Sequence, residues 1–228
     1  MTLRVTPTLT YLFLFFIFLT GVLLIRIFFF DTCQVTTESM ERTICAGDRI
    51  VVNKINRKVI NRNDLIVFNH PDGGGTQLVK RCVGLPGDTV QIIGGVVYIN
   101  GHVIKTPATV ISCHDYSVNF PHHALGWSAN NFGPVITPKN GSVTIIDSVS
   151  RSLYGYLFRI ERDTTIHTYT FCTDSYFVLG DHRGNSLDSR HWGFVPADLV
   201  IGKAVLVCFS RDPNRKKIHW YRIGRRLD

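Results

Sequence analysis

Residues 77–99 read QLVKRCVGLPGDTVQIIGGVVYI and are the most informative part of the chain for its fold. This stretch contains three short runs rich in β-branched and aromatic residues, at 77–83, 89–93 and 96–99, separated by turn-forming residues. Runs of this length and composition are typical of β-strands. Gly94-Gly95 predicts a tight hairpin turn, because glycine readily adopts the positive φ that such turns require. The stretch therefore predicts antiparallel β-structure.

The same pattern continues after residue 31, and no long amphipathic helix competes with it, so the sequence predicts a mainly β fold. Residues 102–171 are less regular and carry their own turns, and we expect them to form an inserted subdomain of one continuous β domain. Asn100-Gly101 predicts another turn with positive φ. The other predicted strands are 49–53, 65–69, 143–146, 156–160, 167–171, 176–179 and 203–210.

The N-terminal segment 8–30 is almost entirely apolar and contains one charged residue, Arg26. At 1.5 Å per residue, a helix of this length crosses a hydrocarbon core of about 30 Å. A cleaved signal peptide has a shorter apolar run followed by a small-x-small site, which this segment lacks. We therefore expect residues 1–31 to form a short cytoplasmic end and a transmembrane anchor. A buried core helix is the alternative.

The charge distribution limits the classes of partner. With 45% hydrophobic and 18% charged residues, the chain is not of the disordered class. The net charge is +8, and much of it lies in a basic C-terminal tail, residues 213–228. We expect this tail to be a solvated terminus, with contact to anionic lipid as a second possibility. Because basic and aromatic residues do not alternate elsewhere, we expect no nucleic-acid partner.

The six cysteines form no C-x-x-C motif. Cys82 and Cys208 lie in apolar runs and are predicted to be core residues. Disulfide pairing stays open, and Cys113 with Cys172 is the pair that we would expect. A zinc site is an alternative for the irregular loop, although its residues lack ligand spacing. Its ligands would be Cys113, His114, His122 and His123.

Three polar segments combine reactive or charged groups with turn-forming neighbours. They are QVTTESMERT at 34–43, LVKRCVGLPGD at 78–88 and LGDHRGNSLDSRHWGFVP at 179–196. Taken singly, none is specific, because a serine in a polar loop is usually inert and a Lys-Arg pair on a strand is usually solvated. Their order along the chain, after one apolar segment, is the more informative feature.

In this order the segments resemble the bacterial type I signal peptidases, or leader peptidases, which use a serine–lysine dyad. The stretch NFGPVITP at 131–138 also looks like the insertion of this family. The resemblance covers nearly the whole chain. It implies a transmembrane helix followed by an extracytoplasmic antiparallel β-sheet domain of the signal peptidase I type, at residues 32–212, with the insertion at about 102–171.

The resemblance implies a membrane-bound serine endopeptidase that cleaves signal peptides from exported preproteins after a small-x-small motif. Ser39 would be the nucleophile and Lys80 the general base. A lysine is a base only when it is neutral, and burial lowers its pKa from about 10.4. The apolar neighbours of Lys80 in the strand are consistent with such burial.

The resemblance also assigns the supporting groups. The hydroxyl of Thr37 and the backbone N–H of Ser39 would stabilise the oxyanion, and Ser186 would orient the lysine amine. The expected structural support includes an ion pair near Arg81, and its residues are Arg81, Asp181, Arg183, Asp188 and Arg190. The substrate would bind as an added strand, and the residues implied in its binding are Gln34, Val35, Thr36, Met40 and Val79.

The sequence departs from the family pattern at three positions. Arg42 replaces the proline that follows the nucleophile by three residues, which alters the expected loop geometry and with it catalytic efficiency. His182 replaces an asparagine. Cys33 stands where the family commonly has an aromatic residue, which could alter a pocket.

The expected partners are signal peptides of exported preproteins and the lipid bilayer, with no metal or cofactor. We expect a single-pass protein of the bacterial cytoplasmic (inner) membrane with a periplasmic catalytic domain, and a monomer, although the sequence leaves the oligomeric state open. The main alternative is a catalytically impaired, membrane-tethered β-domain that acts as a binding module. Two related classes of protein fit less well. Signal peptidases of the serine–histidine branch have a histidine where this chain has Lys80, and self-cleaving repressors carry a DNA-binding domain and no anchor.

Overall fold

The computed structural model describes residues 7–55, 57, 59–71, 73–118, 126–158 and 167–227. Within these residues there are helices α1 (Pro7–Phe29), α2 (Ser148–Tyr154) and α3 (Ser189–Trp192), and short 3-10 turns at Gly155–Leu157, Ala197–Leu199 and Trp220–Arg222. The strands are β1 (Phe30–Gln34), β2 (Asp48–Asn53), β3 (Leu65–Asn69), β4 (Gln77–Gly84), β5 (Thr89–Ile93), β6 (Val96–Ile99), β7 (His102–Val103), β8 (Phe132–Ile136), β9 (Val143–Ile145), β10 (Thr168–Thr170), β11 (Ser175–Leu179), β12 (Val195–Pro196) and β13 (Val200–Ser210).

The fold is built on a seven-stranded antiparallel sheet with the order β1-β2-β13-β3-β4-β11-β12. A four-stranded antiparallel sheet, β7-β6-β5-β8, follows directly after β4 in the chain, and β9 pairs with β10. The second sheet thus pairs β5 and β6 with β7 and β8, which belong to the region predicted as an insertion. This arrangement confirms the mainly β fold.

Gly84 lies at the end of β4, where the two larger sheets meet. A Cβ atom at this position would lie 2.6 Å from Cγ2 of Val90 and 2.9 Å from Cβ of Phe177. Real Cβ atoms do not make contacts this short, so any side chain here would push β4 away from β5 and β11. The turn-forming part of the 78–88 segment therefore has a packing role.

Most predicted strands are confirmed. They could be predicted because turn-forming residues in the sequence mark where each strand begins and ends. The prediction for 156–160 is wrong, since Gly155–Leu157 forms a 3-10 turn after α2, and 159–160 lie outside the described residues. Asp147 begins α2 by accepting a hydrogen bond from the Ser150 backbone N–H. The strands β1, β7, β8 and β12 were not predicted, because each is short or interrupted by residues that disfavour strands.

Helix α1 leads without a break into β1. Its apolar side chains between residues 10 and 24 are mostly exposed. Over the described residues, no helix meets both the length and the hydropathy required of a membrane span. The transmembrane anchor and the domain boundaries at 31 and 212 therefore stay predictions.

The basic C-terminal stretch is not simply solvated. The backbone N–H groups of Gly224 and Leu227 donate to the carbonyls of Val207 and Val205 in β13, and Leu227 is buried in the same hydrophobic cluster as Met40. Arg222 is buried as well. The expectation of a solvated terminus is wrong for these residues, because the segment folds back onto the sheet.

The six cysteines are all free thiols. Cys113 lies within hydrogen-bonding distance of the Asn130 side chain, and Cys172 of the Thr170 carbonyl, so the expected Cys113–Cys172 disulfide is not formed. Cys82 is completely buried, as predicted, whereas Cys208 is partly exposed.

Candidate active site

Ser39 lies in the connection between β1 and β2, where the chain makes tight turns. The N–H of Glu41 donates to the Glu38 carbonyl at 3.0 Å, and that of Ile44 to the Met40 carbonyl at 2.7 Å. Met40 and Ile44 have no exposed surface and pack into the core of the main sheet. The buried Met40 side chain thus holds the adjacent Ser39 at the edge of this core.

Arg42 has a φ of +68°. This left-handed conformation is unfavourable for residues other than glycine, asparagine and aspartate, and proline cannot adopt it because its ring holds φ near −65°. The turn after Ser39 is therefore different from one that contains proline at this position.

Lys80 lies in β4, between β3 and β11 in the middle of the main sheet. Only 2% of its surface is exposed, and its Nζ donates to the Ser186 hydroxyl at 3.0 Å. Burial, followed by the nearby Arg190, lowers the pKa of Lys80 to about 8, although Asp188 and Asp181 oppose the shift. A substantial fraction of this amine is neutral near physiological pH.

The segment after β11 connects Ser39 with the partner of Lys80. The backbone N–H of His182 donates to the Ser39 carbonyl at 3.0 Å. Gly180 lies so close to the Ser186 side chain and the Ser39 carbonyl that a Cβ atom would clash with both. Because β4 pairs with β11, the register of the sheet brings these three segments together.

Ser39, Lys80 and Ser186 line one cleft of about 420 Å³. Thr37 and Glu38 line it as well, and the Thr37 hydroxyl lies 3.2 Å from the Ser39 hydroxyl. The remaining wall was not predicted from the sequence. It is formed by His70, Leu78, Tyr116, Gly184, Asn185, Leu187 and His191.

The sequence contains a signal for part of this wall. Leu78 and Leu187 lie inside the polar segments, and Leu187 is 68% exposed despite being apolar. His70 and Tyr116 lie in other parts of the chain and reach the cleft only through folding, so no local signal marks them.

The residues expected to bind substrate differ in accessibility. Gln34 and Thr36 are exposed, whereas Val35 and Val79 are nearly buried and Met40 is completely buried. Their role in substrate binding stays a prediction.

Arg81 points away from Lys80 and forms a buried bidentate ion pair with Asp181. Its Nε and a terminal nitrogen donate to the carboxylate at 2.8 and 2.7 Å. The Thr43 hydroxyl donates to the same carboxylate at 2.5 Å. Asp181 is thus the counter-ion of Arg81, and it links β4 to the turn that carries Ser39.

Asp188 and Arg190 form a second buried ion pair, with Nε to carboxylate oxygen at 2.9 Å. Asp188 also caps α3 and accepts from the Gly180 N–H at 3.0 Å. Its burial alone would raise its pKa, but the Arg190 charge and several hydrogen bonds bring the pKa below its ordinary value. Arg183 lies outside the cleft, beside a separate cavity.

Metal binding finds no support in the described part of the chain, where no group of three or more metal-ligating side chains occurs. His122 and His123 of the alternative zinc site lie outside the described residues.

Comparisons with known proteins identify the family. The sequence profile of the family Signal peptidase, peptidase S26, matches residues 8–209. The chain is 31% identical over 243 residues to Signal peptidase I of Pseudomonas aeruginosa, covering 92% of this chain and 76% of that protein. It is 27% identical over 239 residues to Signal peptidase I of Buchnera aphidicola subsp. Acyrthosiphon pisum, with 89% and 76% covered.

One solved structure was aligned as well. The crystal structure of a signal peptidase I from Enterococcus faecalis V583 aligns with a TM-score of 0.34 at 24% identity, covering 64% of this chain and 96% of that one. The profile match over most of the chain, together with the Pseudomonas relative, shows the family. The chain belongs to the signal peptidase family, peptidase S26, and is a peptidase hydrolase.

Proposed function

We propose that the protein is a serine endopeptidase in which Ser39 is the nucleophile and neutral Lys80 the general base. The observation that supports this most strongly is the buried Lys80 amine, which donates to Ser186 in the cleft that Ser39 also lines. Among the described residues, no carboxylate forms an ion pair with Lys80, so its ammonium form is not stabilised by a direct counter-ion.

The reaction proceeds through an acyl-enzyme. Neutral Lys80 takes the proton of the Ser39 hydroxyl as Oγ attacks the carbonyl carbon of the scissile bond. The peptide C–N bond then breaks, and the ammonium of Lys80 gives its proton to the leaving amine. Water hydrolyses the ester by the same sequence, with Lys80 again acting as base.

Two groups are proposed to stabilise the oxyanion, the Ser39 backbone N–H and the Thr37 hydroxyl. The position of the Thr37 hydroxyl, 3.2 Å from the Ser39 hydroxyl, supports this role. One such donor typically contributes about 3–4 kcal/mol to transition-state stabilisation. Ser186 is proposed to orient the lysine lone pair towards Ser39.

The proposed substrates are signal peptides of exported preproteins, cut after a small-x-small motif. In the described sheet, β1 is an edge strand, and its outer backbone groups are available to an extended peptide. The exposed Gln34 and Thr36 lie at the end of this edge, next to the turn with Ser39.

The proposed location is the bacterial cytoplasmic membrane, with α1 as the attachment and the catalytic domain on the outer side. The support is the exposed apolar surface of α1, whose last residue directly precedes β1. Protease treatment of intact spheroplasts tests the orientation, because an outward domain would be digested without lysis.

The decisive experiment is cleavage of a preprotein with an Ala-x-Ala site by the detergent-solubilised protein. We expect the wild type to cut after the last small residue, and Ser39→Ala and Lys80→Met to lose activity by at least about 10³-fold. Ser152→Ala is a matched control on α2. Full activity of either site variant would overturn the dyad, and an inactive but folded wild type would favour the binding module.

A further inference from the structure

A second cavity lies beside the candidate site. It has a volume of about 270 Å³ and is lined by the Gly94-Gly95 turn and by residues around Cys113. Arg183 and Arg190 also line it. Neither the proposed reaction nor the substrate uses this cavity.

Arg183 lies against this cavity, and in the described part of the chain its guanidinium forms no ion pair with a carboxylate. Only 8% of the residue's surface is exposed, and its buried Nε has no partner. Burial, followed by the charge of Arg190, lowers the pKa of this guanidinium, although Asp188 and Asp181 oppose the shift, and arginine remains protonated in proteins. An unpaired buried charge is costly, so an anion that paired with Arg183 would be bound favourably.

The charge of the second arginine is already compensated. Arg190 forms its bidentate pair with Asp188, so the two side chains together are neutral. The cavity wall therefore carries one uncompensated positive charge, which one monovalent anion would neutralise. A planar carboxylate matches the donor fork of a guanidinium, whereas chloride cannot make two parallel hydrogen bonds.

We propose that this cavity binds a small monovalent carboxylate through Arg183. The hydroxyls of Thr106 and Ser112, which also line the cavity, are further donors for such a ligand. The site is connected to the cleft, because the Arg183 carbonyl accepts from Arg190 at 2.8 Å and from the Tyr116 hydroxyl at 3.2 Å. An occupied site would stabilise the loop from Arg183 to Ser186.

The test is thermal unfolding of the full chain in detergent with sodium acetate, sodium chloride or sodium sulfate at equal ionic strength. We expect acetate alone to raise the midpoint saturably, by about 2–5 °C near 100 mM. Arg183→Gln should abolish this increase, and the matched control Arg151→Gln, at an exposed helical arginine, should keep it.

A second variant covers the case in which Arg183→Gln does not fold. Ser112 lines the cavity, and the backbone N–H of Arg183 donates to the carbonyl of the neighbouring Ile111. Ser112→Glu therefore places a carboxylate close to Arg183 and should remove the acetate response. An equal response to chloride or sulfate, an unchanged response in Arg183→Gln, or a persisting response in Ser112→Glu would overturn the proposal. The unfolding measurement detects acetate binding and does not require cleavage. A failure of this proposal can therefore be distinguished from a failure of the proposed dyad. Only an effect of acetate on cleavage would rest on the proposed function.

Discussion

The protonation state of a single residue, Lys80, sets the expected pH dependence of cleavage. With a pKa of about 8, roughly one lysine in ten is neutral at pH 7, compared with roughly one in 3,000 at an ordinary pKa of 10.5. Because the base must be neutral, kcat/KM should rise with pH and level off above about 8. Initial rates on a peptide without titratable side chains measure this. A flat profile between about pH 6 and 9 would argue against Lys80 as the base.

Arg42 is the residue at which the backbone conformation, not the side chain, decides the effect of substitution. Because its φ is +68°, Arg42→Gly should be neutral or stabilising by up to about 1 kcal/mol. Arg42→Pro should be destabilising and less active, since proline forces the turn beside Ser39 to rearrange. Urea unfolding and kcat/KM measure both effects, and Arg42→Ala controls for the lost side chain. A faster Arg42→Pro would mean that the turn differs from the one described.

At the scale of elements, the C-terminal segment fastens the turn that carries Ser39. Arg222 donates to Asp48 at 2.6 Å and to the Thr43 carbonyl at 3.3 Å, and this ion pair is almost completely buried. Arg222→Met would leave the Asp48 charge buried without its partner and should cost about 3–5 kcal/mol of unfolding free energy. Urea unfolding measures the loss.

The matched control for this prediction is Arg225→Met, at an exposed position of the same segment. It should change the unfolding free energy by less than about 0.5 kcal/mol. A loss as small as this for Arg222→Met would mean that the segment is dispensable.

Across the whole molecule, buried aspartates make stability depend on acid pH. Burial alone would raise the pKa values of Asp48 and Asp188, but Arg222 and Arg190 respectively, with further hydrogen bonds, lower both. The unfolded chain then binds more protons than the folded one, so this stability is present above about pH 4 and is lost as the pH falls further. Urea midpoints between about pH 2 and 6 measure the slope.

The variant Asp188→Asn should flatten this acid slope, at the cost of lower stability at neutral pH because Arg190 loses its counter-ion. Asp31→Asn removes the same charge at a half-exposed site and should leave the slope nearly unchanged. Equal slopes for wild type and Asp188→Asn would show that this ion pair does not contribute to acid denaturation.

Local sequence patterns predict most of the strands, and the family resemblance supplies the candidate dyad. Strands such as β3, β5 and β6 are defined by local composition and by the turns that bound them, including Gly94-Gly95. Ser39, Lys80 and Ser186 were assigned through the resemblance of three segments, taken together and in their order, to the signal peptidases. The strand signals are short-range and do not depend on tertiary packing, whereas the site assignment depends on the order of the three segments along the chain.

The contacts between distant groups follow from the folded chain. Asp181 is 100 positions from Arg81, and the register of β4 against β11 places their segments together, so spacing along the chain could not identify the pair. The positive φ of Arg42 occurs in a turn whose Thr43 and Ile44 N–H groups donate to the Met40 carbonyl, and Arg222 is buried where the chain returns onto β13. The uncompensated charge of Arg183 is likewise visible only in three dimensions, because Asp181 pairs with Arg81 and Asp188 pairs with Arg190.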